Sequence, residues 1–378
     1  MKDKKIKILH IQETVASGGV EKIRLLLAKY LDKSIYEQKL VCTFSGGPIL
    51  SEFEKEGVEV IPIGKFKGIF DFKQYRKVIK IINEYQPDII HGAVFEGVTI
   101  ACICGFIKKV PVIIAEETSD PQNRSKKADF LLRCLCFVSD KVVAISQGTA
   151  EYLQNRAKIP IRKIQLINNG VDSPHTVNIQ EKEQLRKDLG IKATDFVIGS
   201  VGRLYDDPKK FTDIIKAIAL LKDYSQLRLL IVGSGKDEEL ILQTAKNLGI
   251  LDKLIMAGYQ ADTAPYYKLM NVFCIASQRE GFGLVSAEAM LSKLPVIATS
   301  VGGLKYVVQD NITGFLVPPN NPQIIAEKLE ILINDAELRK SFGNAGYERA
   351  KQEYTAEAYI GKVNKMYQEL YQKKVLHQ

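Results

Sequence analysis

The sequence predicts an α/β protein made of two doubly wound parallel-sheet domains of similar size. Three observations carry that prediction. Short apolar runs alternate with amphipathic helical patterns from end to end, as in parallel strands joined by crossover helices. The alternation breaks once, at NNGVD (Asn168–Asp172) and the polar stretch that follows to about Gln180. And 378 residues exceed what one hydrophobic core usually fills.

In the first half, strands are expected at Ile6–Ile11, Glu37–Thr43, Glu59–Pro62, Ile89–His91, Val112–Ala115, Lys141–Ile145 and Ile164–Ile167. Helices are expected at Val20–Lys33, Asp71–Tyr85, Val98–Phe106 and Ala128–Phe137. The first of them sets Ile23, Leu26, Leu27, Tyr30 and Leu31 on one face at i, i+3, i+4 spacing. A second series of strands runs through Phe196–Val201, Leu227–Val232, Leu254–Met256, Val272–Ile275, Pro295–Ala298 and Gly314–Val317. Helices at Gln323–Asn334, Ala336–Gln352 and Thr355–Tyr371 close the chain. The expected boundaries are 1–172, 173–354, and a C-terminal helix at 355–378 that packs back on the first domain. Ligands of such sheets bind beyond the carboxyl ends of the strands, so two facing lobes imply an interdomain cleft.

Composition narrows the class. A chain 46% hydrophobic and 26% charged reads as globular, without disorder or collagen-like bias. The basic start MKDKKIKILHIQ lacks the apolar run of a signal peptide. The longest apolar stretch, around Val98–Ile107, falls short of the ~20 residues that span a bilayer. The expected location is the cytoplasm, with peripheral contact on the inner face of the membrane left open. None of the six cysteines forms a C-x2-C pair, and their apolar surroundings read as core in a reducing compartment. Residues 1–172 hold 27 Lys/Arg against 20 Asp/Glu, +7, and the rest 26 against 24, +2. A basic first half suits an anionic surface or substrate. Without an Arg-rich tract or a known binding module, nucleic acid is not expected.

The chemistry concentrates in SQREGFGLVSAEAMLSKLPVIATSVGG, Ser277–Gly303, which reads strand, glycine loop, helix, strand, glycine loop. Glu280 precedes the loop and Glu288 lies in the helix. Between them Phe282, Gly283 and Leu284 form the loop-to-helix junction, whose free N–H groups suit phosphate or sugar oxygens. A carboxylate at each end suits a hydroxyl-bearing sugar at one end and a ribose at the other. The spacing alone is equally that of two solvated charges.

This region resembles the E-x7-E signature of retaining glycosyltransferases of family 4. Further pieces agree in order: GGVE at Gly18–Glu21, PDIIHG at Pro87–Gly92, AISQGTAEYL at Ala144–Leu153, INNGVD at Ile167–Asp172 and VGRLYDDPKKF at Val201–Phe211. The resemblance implies the GT-B fold, two Rossmann-like parallel-sheet domains facing across a cleft. It also implies retaining transfer from a nucleotide sugar, with UDP expected, to a saccharide or lipid-linked saccharide in bacterial surface polysaccharide or glycolipid assembly. Arg203 and Lys209 would clamp the departing diphosphate, Glu288 the ribose, and Glu280 the donor sugar beside the amides of Phe282, Gly283 and Leu284. Gly18 and Gly19 would let a helix terminus approach a ligand, or form a plain turn. Tyr259, after Gly258, would border the nucleobase. His91 would lie near the transferring sugar or be a packed structural residue. Glu116 and Glu117, in IIAEETSDP, are candidate acceptor contacts.

The sequence departs from the family pattern twice. Ala93 stands where a second histidine is usual, and Lys210 where glycine usually follows the phosphate-binding lysine. Lys210 marks either a different turn or an extra cation near the diphosphate. No D-x-D sequence occurs, so neither a metal site nor a cofactor is expected, and Arg203 with Lys209 would do the electrostatic work. KFKGIFDFKQYRKVIK, Lys65–Lys80, interleaves cations with Phe66, Ile69, Phe70, Phe72 and Tyr75. It reads as a membrane-resting surface, assisted by Arg124–Arg133, or as an amphipathic helix with a solvated basic face. Three rivals to transfer remain: a GT-B nucleotide-sugar epimerase, a catalytically silent sugar-nucleotide binder, and a membrane-binding module.

Overall fold

The computed structural model describes residues 5–16, 18–47, 49–119 and 124–376. The chain forms two compact units, one of Met1–Val171 with Ala356–Gln378 and one of Asp172–Thr355. The first carries a seven-stranded sheet: β1 (Ile6–Val15), β2 (Tyr36–Ser45), β3 (Glu59–Pro62), β4 (Ile89–Ala93), β5 (Val112–Glu117), β6 (Lys141–Ala144) and β7 (Ile164–Leu166). Its order is β3-β2-β1-β4-β5-β6-β7, parallel throughout.

The second unit carries β8 (Phe196–Val201), β9 (Leu227–Val232), β10 (Leu254–Met256), β11 (Val272–Ile275), β12 (Val296–Thr299) and β13 (Gly314–Val317). Their order is β10-β9-β8-β11-β12-β13, again parallel. Both sheets are therefore doubly wound. Strand order reverses between β1 and β4 in one and between β8 and β11 in the other, and ligands of such sheets bind at these switch points.

Each sheet is covered by helices, so its strands read as apolar runs. In the first unit Leu9, Ile11, Ile90 and Ile113 pack with Val78, Ile82, Ile100 and Leu132 in one core. In the second, Ile198, Leu229, Ile231 and Ile297 pack with Phe211, Ile214, Ile325 and Leu329. Five cysteines are buried and unbridged, but Cys134 is exposed, so the core reading fails for that one. Its place on the helix Lys126–Val138 is on the face away from buried Leu132, Leu135 and Cys136.

Several elements differ from expectation. The helix Val94–Ile107 starts four residues before the expected Val98. Helices Ile49–Lys55, Gln147–Asn155 and Ile179–Asp188 are additional. The last of these buries no residue, which removes the periodic apolar signal that would announce it. The closing helix, Ala356–Tyr371, belongs to the first unit and buries Tyr359, Val363, Met366, Tyr367 and Leu370.

Candidate active site

In the second unit, the residues singled out from the sequence gather at the β8/β11 switch point. β8 ends at Val201, and Gly202 and Arg203 follow it. The arginine is exposed, its guanidinium 5.6 Å from the centre of the Tyr205 ring, which Lys236 also approaches at 5.4 Å. The short helix Asp206–Lys209 comes next. Asp206 is buried and accepts from the Thr212 amide at 2.9 Å and the Thr212 hydroxyl at 2.8 Å. That pins the turn to the following helix, Phe211–Leu220.

Between the two helices Lys210 has φ 53° and ψ 43°. This is the left-handed conformation that glycine adopts without penalty. The substitution for glycine therefore leaves the turn in place, with a lysine bearing the backbone strain.

Lys209 reaches across to the loop after β11, its Nζ 2.6 Å from Glu280 Oε2. The pair is separated by 71 residues in sequence. The Gly303 amide donates to the Glu280 carbonyl at 2.8 Å, and the Gln278 amide to the Pro208 carbonyl at 2.8 Å. The Glu280 loop is thus tied to both the Lys209 turn and the glycine loop after β12.

Gly283 has φ +95°, the left-handed conformation that favours glycine, and a Cβ there would also press on the Leu304 Cδ2 methyl at 2.4 Å. It opens the helix Leu284–Leu291 without a side-chain cap; the Ser286 amide donates to the Gly283 carbonyl at 2.9 Å, and the amides of Leu284 and Val285 stand ahead of any intrahelical carbonyl. Phe282 is buried, edge-on to Tyr354 at 5.4 Å. Its side chain is thus a wedge, and only its backbone faces the junction. Glu288 accepts from the Tyr267 hydroxyl at 2.8 Å. Burial, then the Glu288 charge, pushes that phenol well above its ordinary value, so it stays a donor. Tyr259 is half exposed after Gly258, whose carbonyl accepts from the Gly233 amide at 2.8 Å. Arg203, Lys209, Glu280, the 282–284 junction and Glu288 therefore share one unit and adjoining loops. Tyr267, outside every motif, and Tyr205, inside VGRLYDDPKKF but given no role there, are the partners that the sequence did not announce.

In the first unit the outcome differs. His91, in the middle of β4, is 1% exposed. Its Nδ1 lies 2.7 Å from the Tyr367 hydroxyl and its Nε2 3.1 Å from Glu116 Oε2. Glu116, 3% exposed, also accepts from Arg24 Nη2 at 3.0 Å. Burial alone would raise the Glu116 carboxyl, but Arg24 and His91 outweigh it and hold it at about 2. Burial and then Arg24 lower His91 to about 4, so the ring is neutral at neutral pH. The geometry fits the packed, structural histidine. Glu116 is likewise committed to the interior. Glu117 accepts from Ser119 Oγ at 2.6 Å and Arg124 Nη1 at 2.5 Å. As described, neither glutamate is an open acceptor contact.

Arg24 and Tyr367 are the residues missed here. A charged residue beside Ile23 in the apolar face of the first helix was the available signal. Gly18 caps the helix Gly19–Tyr30, and a Cβ on it would lie 2.3 Å from Glu21 Oε2. Its smallness thus admits the Glu21 carboxylate, which accepts from Thr14 Oγ1 at 2.8 Å. At the same end of β1, burial and then the charges of Glu96 and Glu21 raise the Glu13 carboxyl. Among the described residues, no group of three or more His, Cys, Asp or Glu is placed to hold a metal.

The family described as glycosyl transferases group 1 matches residues 181–349, and glycosyltransferase family 4 matches residues 17–173. The capsular polysaccharide biosynthesis glycosyltransferase CapM of Staphylococcus aureus is 28% identical over 342 residues, covering 85% of this chain and 88% of its own. A Campylobacter jejuni α-1,4-N-acetyl-D-galactosaminyltransferase, named for an undecaprenol-diphosphate-linked saccharide, is 27% identical, covering 92% and 94%. The crystal structure of Anabaena HepE in complex with UDP superposes with a TM-score of 0.84 at 21% identity, covering 96% of this chain and 100% of HepE.

Proposed function

Since the chain belongs to the group 1 and family 4 type of GT-B glycosyltransferases, we propose that it transfers a hexosyl-type sugar from a UDP-sugar, with retention, to a saccharide or lipid-linked saccharide. The observation that carries this reading is the Lys209–Glu280 pair at 2.6 Å, joining the loops after β8 and β11 at the switch point of the second sheet. The UDP complex of HepE supports the choice of nucleotide. The names of the capsular and undecaprenol-linked relatives support a surface-polysaccharide or glycolipid setting.

Each group has a task in this scheme. An ammonium has three donors, so Lys209 can serve Glu280 and a phosphate oxygen together. It thereby neutralises the carboxylate that would otherwise repel the diphosphate. Arg203 supplies a planar fork for a second phosphate oxygen. As the glycosidic C–O bond breaks, charge accumulates on the leaving diphosphate, and two fixed cations stabilise it without a metal. Glu280 keeps its other oxygen for a donor-sugar hydroxyl. Glu288, oriented by Tyr267, takes the ribose hydroxyls, and the backbone at 282–284 supplies N–H donors. The acceptor lies on the first unit, near the carboxylates Glu13 and Glu96, the one exposed and the other half-buried, rather than Glu116 or Glu117. The leaving phosphate takes the acceptor proton in a same-face attack, so no protein base is assigned.

A thermal-shift panel of UDP-, GDP- and ADP-sugars tests the donor, because a bound donor raises stability by an amount that grows with the logarithm of its concentration over Kd. A shift confined to UDP-sugars is expected, and a shift with GDP- or ADP-sugars alone overturns the nucleotide assignment. The anomeric configuration of the product, read by NMR, decides retention.

A further inference from the structure

The first unit carries a groove of about 340 Å³ with an almost wholly apolar lining. Ile69, Phe70, Phe72 and Ile79 line it from the helix Phe72–Tyr85 and the loop before it, and Ile103 and Ile107 from the helix Val94–Ile107. Arg76 is its one charged lining residue. The rim is not packed away: Phe70 is 82% exposed, Phe72 66%, and Ile107 56%. Isolated apolar residues on a surface need no explanation, but a contiguous aromatic edge around a groove does.

The charge around it is mostly positive, although Lys80 pairs with Glu84 at 3.8 Å. Lys65, Lys67, Lys73, Arg76 and Lys80 are exposed along the same segment, and Lys108 and Lys109 follow Ile107 at the end of the neighbouring helix. The one acid between Lys65 and Lys80, Asp71, is used internally, accepting from the amides of Lys67 at 3.0 Å and Gln74 at 3.4 Å. Arg124, expected to help at this surface, does not: it is held by Glu117 and Tyr152 and lies over Phe95.

We propose that this face docks on an anionic phospholipid bilayer, with Phe70 and Phe72 inserted at the headgroup boundary and the groove taking an acyl chain. Exposed rings supply the apolar contact and the lysine rim supplies attraction to anionic headgroups, the two ingredients of interfacial binding. No helix among the described residues is long and apolar enough to cross a membrane, so the contact is a resting one. A second copy of the chain seated on the same face would bring two basic rims together.

The test is flotation of the full chain with phosphatidylcholine vesicles, with and without phosphatidylglycerol, at several salt concentrations. The wild type is expected to float with phosphatidylglycerol vesicles only, and less as salt rises. Phe70→Ser with Phe72→Ser should weaken binding by at least about tenfold. Lys73→Glu with Lys80→Glu should abolish the preference for phosphatidylglycerol. Ile179→Ser, at an 81% exposed position of the second unit, should change nothing. All the substituted side chains are exposed, and thermal unfolding checks that each variant stays folded. The proposal is overturned if the wild type fails to float at low salt, or if the Phe70/Phe72 variant binds as the wild type does. It is equally overturned if that variant alters only the oligomeric state, which would assign the groove to a second copy. Binding is read without turnover, so its failure is separate from any failure of glycosyl transfer.

Discussion

Replacing Lys209 with alanine removes a cation from the proposed leaving-group site and exposes the remaining charge to view. The structure gives two consequences of different size. For stability, the ion pair with Glu280 is partly open, with 28% and 16% of the two side chains exposed. After allowance for solvent screening its loss costs about 1 kcal/mol or less, a fall of ~2–4 °C in melting temperature. For the reaction, a cation ~4 Å from a phosphate oxygen at an effective dielectric near 20 is worth about 4 kcal/mol. Loss of one such group from a transition state lowers turnover by roughly two to three orders of magnitude. The assay is initial-rate UDP release with acceptor present, beside a thermal melt. The variant Lys209→Ala with Glu280→Gln separates two roles. If Lys209 serves only to neutralise Glu280, removing the carboxylate charge restores the rate. If it binds the diphosphate, the double variant is no faster than Lys209→Ala. A rate loss below about tenfold in the folded single variant would refute the assignment.

Three further outcomes are expected. Stability of the first unit should fall in acid in two windows. His91 resists protonation until about 4 against an ordinary 6.5, so its contribution is lost as pH drops from 6.5 to 4, and buried His10 is depressed in the same direction. Glu116, held at about 2 against 4.5, contributes fully above 4.5 and loses its share as pH falls through 2. In urea titrations His91→Gln should reduce the upper slope by up to about 1.4 kcal/mol per pH unit, and a wild type of constant stability between pH 7 and 4 contradicts this. Lys210→Gly should leave melting within about 1 kcal/mol, because relief of the left-handed strain is offset by the freedom glycine gains in the unfolded chain. Its transfer rate should stay within about threefold, and a tenfold loss places Lys210 on the diphosphate. Dialysis against EDTA should leave turnover unchanged, and loss restored by Mg²⁺ refutes a metal-free clamp.

Legibility in the sequence followed local signal. β8, β9, β10 and β11 begin and end where the apolar runs do, because buried parallel strands leave no polar alternation to confuse their limits. The start of the helix Val94–Ile107 was missed: Ala93 offers no side-chain cap and the helix is apolar all round. The donor candidates Glu280 and Glu288 stood in one segment, yet nothing in that segment pointed to Lys209, which comes to Glu280 only through the adjacency of β8 and β11. The same limit hid the Arg24–Glu116–His91–Tyr367 network. Its members lie on two helices and two strands, and only the fold shows that a histidine motif beside an Ala93 is internal. Glu116 and Glu117 looked alike in sequence, and both turn out to be held by an arginine, Arg24 and Arg124.

The Tyr367 hydroxyl against His91 has a consequence for the order in which the protein is made. The first unit is assembled from the two ends of the chain, and the segment Asp172–Thr355 is contiguous. During synthesis the second unit has its whole sheet available while the last helix is still inside the ribosome, and domains fold as units while the chain emerges. Until residues 356–371 appear, the Arg24, Glu116 and His91 side chains lack the tyrosines that cover them, so the first sheet waits with a polar seam open to water. A chain lacking residues 356–371 keeps every strand of both sheets and loses the closure of one. Completion of the first unit thus depends on residues 356–371, which lie beyond the whole of the second unit in the chain.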